Sequence, residues 1–486
     1  MEGIMARDRS SFGGRSLRAR CVVALSAALA ALGFAGEAAA TGMQGHMYMA
    51  QCAAEQAKDT RLRALFDAHA LHLANGAIFP DSGYTAPDHD QGEIAHWEQY
   101  IEGYIQTLRE RYASPLDDPE GAAQVAFLMG AAAHGITDST FDALLYARAE
   151  QVEPADTDSL DTAMDIFLVH DMPRFYVPEP AFDAKLLSDV YVQKIPHAVT
   201  PDAIEDAMST ARSGVAVVTK LLHVGADDYG QKYPWSRSHF RDPRTPGGYA
   251  HGAKVVLGYY REILRRLDGG KSADGVVIGT YPEEAYPLVT LDPTRPDGKV
   301  LFFFGEGMDR TTIDDNSVIL RDDMGNVIPS KVDVFRGDQW ANVLRVEAMV
   351  PWKPGTKYTA VLGKGIKTLS GASPSADQEI SFTTCTPSSP GGDCDEPQGA
   401  PPPSPCPTLD AKYVTPEGEE EEMDAGMEED AGVVDAGTDA GKPPVEEPPV
   451  QQDSGCAVSA PERDAGAWSA VVLALAAACS VRRRKR

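Results

Sequence analysis

The chain has 486 residues, 43% of them hydrophobic, and carries a formal net charge of −28. That length exceeds a single core and leaves room for two or three domains. The acidic balance offers no basic footprint, so duplex nucleic acid is not expected as a partner.

The charge is unevenly spread. Residues 385–455 hold eighteen Asp and Glu against two Lys, so the folded part is only mildly acidic. At the N-terminus, Arg15, Arg18 and Arg20 precede an apolar run from Cys21 to about Phe34, and Ala38-Ala39-Ala40 follows. This reads as a secretory signal over 1–40, with the mature chain starting at Thr41. Export permits disulfides. Cys385, Cys394 and Cys406 cluster in a Pro-rich stretch where one local bridge fits, its pairing left open. Cys52 reads as a free, buried thiol.

From Thr41 to about Gly270 the apolar period is helical. Helices are expected over 43–57 and 60–73, then a loop over 76–84, where Gly76, Pro80 and Gly83 punctuate the pattern. His96-Trp97 opens, or sits early in, a helix running to about Tyr112. A central helix carries FLMGAAAHGITDSTFD over 127–142, and further helices are expected over 158–169, 201–223 and 250–267, with a short extended link at 175–178. In the central helix His134, Asp138 and Asp142 each follow the last by four residues, which stacks them on one face. A charged stripe on so small-sided a helix is costly to bury unless it is paired or holds a metal. An ordinary polar face toward water is the plain alternative.

Around Gly275 the period changes. Short β-runs at 276–278, 299–304, 317–320, 342–350, 358–362 and 379–384 alternate with Pro-Asp-Gly, Met-Gly-Asn and Lys-Pro-Gly-Thr turns. About seven strands in roughly a hundred residues predict a β-sandwich. With no His and no clustered ligands, this segment reads as a spacer or docking module. Past 385, Asp-Ala-Gly recurs at Asp424, Asp430, Asp435 and Asp439, and an extended, disordered acidic stalk is expected. The end, 456–486, holds a short apolar segment and then five basic residues, Arg482 to Arg486. The fold class is therefore multidomain: an all-α domain over 41–270, a β-sandwich over 275–384, the stalk, and the C-terminal apolar segment.

These pieces carry three resemblances. Gly45-His46, the 76–84 segment with Pro80-Asp81, His96-Trp97, His134 with Asp138, and Phe175-Tyr176-Val177-Pro178 resemble the zinc-dependent phospholipase C fold shared with fungal single-strand nucleases. The variant they look most like is the catalytic domain of glycosylphosphatidylinositol-specific phospholipase D. Residues 275–384 resemble a bacterial Ig-like domain of the SbsA-like kind. Residues 455–486 resemble a MYXO-CTERM sorting tail, which implies a sorting protease as partner and display at the cell surface.

The first resemblance implies zinc, and hydrolysis of phospholipid or a related phosphodiester by water acidified at the metal. Asp81, His96, His134 and Asp138 would hold one zinc. Asp138 would bridge to a second, completed by His46 and by the freed amine and carbonyl of Thr41. Asp81 is the candidate general base. Relatives place histidines at a third site, but here the matching positions are Asp142 and an acidic run of Asp158, Asp161 and Asp165. Oxygen-only ligands favour calcium, magnesium or manganese over zinc, so this site holds a harder ion or is weak or empty. Two other readings stand beside the phospholipase: a nuclease or nucleotidase on the same fold, and a displayed adhesin that keeps metal for stability.

Overall fold

The computed structural model describes residues 42–172, 177–222, 225–270, 276–283, 288, 298–335, 340–386 and 406. The expected signal segment, Thr41, Phe175-Tyr176, Cys394, the expected sorting tail and most of the expected stalk lie outside the described residues.

The first half is helical. Its elements are α1 Met43–Gln56, α2 Thr60–Ala68, α3 Ala70–Gly83, α4 Asp90–His96, α5 Glu98–Arg111 and α6 Pro119–Thr140. A π-helical turn, Phe141–Tyr146, leads into α7 Ala147–Val152 and α8 Leu160–Asp171. Then come α9 Ala184–Lys194, α10 Pro201–Val217, α11 Ala226–Lys232, α12 Pro234–His239 and α13 Tyr249–Leu267. Among the described residues no helix is long and apolar enough to cross a membrane.

Helix α6 is the axis. Asp118 caps it by accepting from Glu120 N and Gly121 N, and Pro119 sits in its first turn, where its missing N–H costs nothing. Every residue from Gly121 to Thr140 is buried. Its main partner is α3, and the contact is backbone to backbone. A Cβ on Gly76 would lie 2.1 Å from Phe127 O, and one on Gly130 would lie 2.1 Å from Leu73 O. This corrects the expected loop over 76–84, since the glycines there thin the helix for close packing. Pro80 is tolerated near the C-terminal end of α3, and the helix ends three residues later. A second correction concerns His96-Trp97. His96 ends α4, Trp97 is extended (φ −114°, ψ 166°), and a new helix starts at Glu98.

The second half is the expected sandwich. Strands β1 Val277–Tyr281, β2 Lys299–Phe304, β3 Val318–Asp322, β4 Val327–Ile328, β5 Ser330–Val334, β6 Val343–Ala348, β7 Lys357–Leu362 and β8 Gln378–Thr383 form two antiparallel sheets, ordered β1-β2-β6-β5 and β4-β3-β7-β8. Strands β4 and β5, which fall in different sheets, were not expected; in β5, Lys331 and Asp333 on one face hid the alternation of Val332 and Val334, which are buried.

Cys52 is not free. It is disulfide-bonded to Cys406, 354 residues away, and Cys385 is disulfide-bonded as well. Nothing local signals a pairing between α1 and residue 406, so for Cys406 its neighbours in sequence were the wrong guide.

His251 on α13 is buried, and its Nδ1 accepts from Gly247 N at 2.9 Å. Burial, helped by nearby Lys254, pushes its pKa down from 6.5 to about 3. The unfolded chain therefore binds a proton that the folded chain refuses. His251 contributes its full stability above pH 6.5 and loses it as the pH falls toward about 3, by up to about 1.4 kcal/mol per pH unit. A His251→Asn variant, which keeps an acceptor there, is expected to lose melting temperature less steeply than the parent between pH 6.5 and about 4. Parallel melting curves would show that His251 titrates normally.

Candidate metal centre

Five side chains converge where α1, α3, α4 and α6 meet: His46, Asp81, His96, His134 and Asp138. The three histidines and Asp138 are buried, while the Asp81 side chain keeps 18% of its surface exposed. His134 and Asp138 share the inner face of α6, one helical turn apart.

The orientation of each ring follows from its Nδ1. His96 Nδ1–H donates to Gly92 O at 2.7 Å, and His134 Nδ1–H donates to Ala77 O at 2.7 Å. A carbonyl only accepts, so both protons must sit on Nδ1. The Thr137 hydroxyl donates to Ala133 O at 2.8 Å, which leaves its oxygen to accept from His46 Nδ1–H at 2.8 Å. In their neutral form all three imidazoles thus present an Nε2 lone pair to the centre.

What those lone pairs face is more acceptors. His134 Nε2 lies 3.0 Å from His96 Nε2. Asp81 Oδ1 stands 3.4 Å from His96 Nε2 and 3.5 Å from His134 Nε2, and Asp138 Oδ2 stands 3.7 Å and 3.5 Å from the same atoms. His46 Nε2 points at Asp138 Oδ1 from 3.1 Å. Lone pairs this close repel unless a proton or a metal cation sits among them. Tetrahedral zinc with bonds of about 2.0–2.1 Å separates its ligand atoms by roughly 3.4 Å, which matches these spacings. Two overlapping triads, His46–Asp81–His134 and His96–His134–Asp138, each keep their ligand atoms within 4.8 Å. The donor set fits zinc. Imidazole and carboxylate are its usual ligands, and each ring is aimed by a hydrogen bond at its far nitrogen.

Without a metal cation, protons play its part: burial opposes the charged forms, but Asp138 raises the pKa of His46 and Asp81 that of His96. Burial likewise opposes ionisation of Asp81, but the positive charge and N–H groups of His134 and His96 beside it hold its carboxyl well below the usual range. Asp138 is likewise held low against its burial, by His46 and His134.

The remaining expected ligands fall elsewhere. Asp142 is one turn further along, about 6 Å past Asp138, and enters the π-helical turn instead of the cluster. Asp158 is exposed in the turn before α8, which starts at Leu160 and not at 158 as expected, so it misses the inner face. Asp161 lies near enough that Asp81 and Asp138 join burial in raising its pKa to about 6, but it is in neither triad. Asp165 has a different task. Its carboxylate accepts from Gly45 N at 2.8 Å and Gln44 N at 3.1 Å, clamping the start of α1 that carries His46.

One residue at the mouth went unread in the sequence. Exposed Glu93 accepts from Tyr84 OH at 2.8 Å and from Trp97 Nε1–H at 2.7 Å. It ties together two rings whose centroids lie 5.1 Å and 5.7 Å from that of His96. Its place three residues before His96 was the available signal.

Residues 45–141 match the family model of zinc dependent phospholipase C. That stretch contains all five converging residues and stops before Asp142, Asp158 and Asp161. Residues 276–384 match the bacterial Ig-like domain. No curated protein matches the chain. Among solved structures, surface layer protein SbsC (domains 1–6) is 12% identical, with 66% of this chain and 46% of that chain covered at a TM-score of 0.18. The N-terminal part of the bacterial S-layer protein SbsC is 16% identical, with 66% and 79% covered at 0.17. The chain thus spans less than half the length of the first of these, and TM-scores this low carry no argument.

Proposed function

We propose that the chain is an exported, surface-anchored, metal-dependent phosphodiesterase of phospholipase C type, acting on phospholipid or a related phosphodiester. The observation that carries this reading is the convergence of three Nε2 lone pairs on two carboxylates, inside the stretch that matches zinc dependent phospholipase C. Asp81, His96, His134 and Asp138 would hold one zinc. His46 and Asp138, with the amine and carbonyl of Thr41, would hold a second.

Zinc in such a site supplies Lewis-acid stabilisation of phosphoryl oxygens and acidifies water. The chain's own residues do the rest. Asp81 is the one carboxylate of the five with appreciable exposure, so it meets incoming water first. Held ionised, it accepts a hydrogen bond from that water and orients it toward phosphorus. Tyr84 and Trp97, fixed by Glu93, line the approach. Export is supported by the Cys52–Cys406 disulfide, which suits an oxidising compartment. Surface anchoring rests on the sorting tail and its protease.

The test is hydrolysis by the purified chain of phosphatidylcholine, phosphatidylinositol and single-stranded DNA, with and without chelator. Chelator-sensitive release of a phosphorylated headgroup is expected. Cleavage of DNA alone would move the reading to a nuclease, and no cleavage with retained metal would leave a metal-stabilised adhesin.

A further inference from the structure

The joint between α4 and α5 carries a ligand of the metal centre. His96 is the last residue of α4 and Trp97 is extended, with Trp97 N donating to Ile94 O at 3.4 Å and Trp97 O accepting from Tyr100 N at 3.0 Å. The Nδ1–H bond to Gly92 O sets the ring's rotation but not the position of the backbone that carries it.

Support comes from the Ig-like domain. Trp340 and Asn342, in the segment before β6, close a small cleft with Trp97, Glu98 and Gly135. That segment is itself pinned into the sandwich. Asn342 O accepts from Phe304 N at 2.7 Å, and Ala341 O accepts from Met308 N at 3.0 Å. A second tie runs through Arg266 on α13, which is 8% exposed. It donates to Gly305 O of the Ig-like domain at 2.8 Å and to Glu98 Oε2 at 3.3 Å, and it also pairs with Glu102. Glu98, buried, is the first residue of α5. One guanidinium therefore fastens the start of that helix to the neighbouring domain, where breaking it would strand a buried charge.

We infer that the Ig-like domain is a wall of the metal centre and not a spacer: Trp340, with the Arg266 tie, fixes the Trp97–Glu98 joint and through it the aim of the His96 imidazole. Trp340 is a positioning residue that acts on the ligand from behind. The inference rests on reading the five-residue cluster as a metal site, and it makes removal of the domain costly for metal binding.

The test uses the full chain, as parent, Trp340→Ala and Trp340→Phe, titrated with cobalt(II) and followed by its visible absorption. The metal-free proteins are melted in parallel by circular dichroism. Loss of the ring is expected to weaken metal binding by about 10- to 100-fold and to alter the cobalt band, with Phe restoring most of both. A merely structural role would lower the melting temperature and leave band and affinity alone. Should the Ala variant fail to fold, Trp340→Leu, which keeps apolar volume but no ring, is read the same way. Equal affinities and spectra in parent and folded variant would overturn the inference. A parent that binds cobalt yet hydrolyses no phosphodiester sinks the proposed function and leaves this inference standing. A parent that binds no metal overturns both.

Discussion

A His134→Ala variant is expected to lose the metal of the first site and to stop responding to chelator. His134 is fully buried and belongs to both triads. Structural zinc contributes about 10–16 kcal/mol of folding free energy in small domains, so one of four ligands accounts for roughly 2.5–4 kcal/mol. That corresponds to a loss of about two to three orders of magnitude in affinity. The metal-free comparison decides between explanations. Removing the ring also removes one of two lone pairs that face each other at 3.0 Å, so the stripped variant should differ less from the stripped parent than the loaded proteins differ. The measurement is metal content by elemental analysis together with melting temperature before and after chelation. Unchanged metal content and an unchanged chelator response would reduce the α6 stripe to a polar face.

Gly135→Ala should have an effect of the opposite sign to what a helix predicts. In an ordinary helix interior the change stabilises by about 1 kcal/mol. Here an added Cβ would lie 1.9 Å from His96 O, and the backbone there cannot hold both atoms. The α4–α5 joint must move by more than 1 Å, and His96 moves with it. Misplacement of that size costs about 100-fold in turnover when it reaches a reacting centre. The expected result is near-parental helical content, weaker metal binding and a rate lowered by about two orders of magnitude. A variant more stable than the parent, with the parent's rate, would show that His96 is not held where the structure places it.

Much of this was legible in the sequence because the signals were local. The four-residue spacing of His134 and Asp138 needs only a helix to become a ligand pair, and the Val- and Phe-rich runs after Gly275 needed only their turns to become a sandwich. The failures came where distant contacts overrode local grammar. Gly76 and Pro80 read as a break because nothing nearby shows that α6 lies close enough to require a missing Cβ. Asp142 extended the spacing rule one turn past the level at which α1, α3 and α4 deliver their ligands. Cys52 found its partner 354 residues away, beyond any spacing argument. Trp340 carried no signal at all, since its importance comes from a contact between two domains that each read as complete.

Metal analysis of the purified, untagged full chain tests the central claim most directly. At least one zinc per chain is expected to survive dialysis, and its removal by chelator should lower the melting temperature, with both restored on adding zinc. Only trace divalent metal, with a melting temperature indifferent to chelator and to zinc, would contradict the assignment of His46, Asp81, His96, His134 and Asp138 as a metal centre.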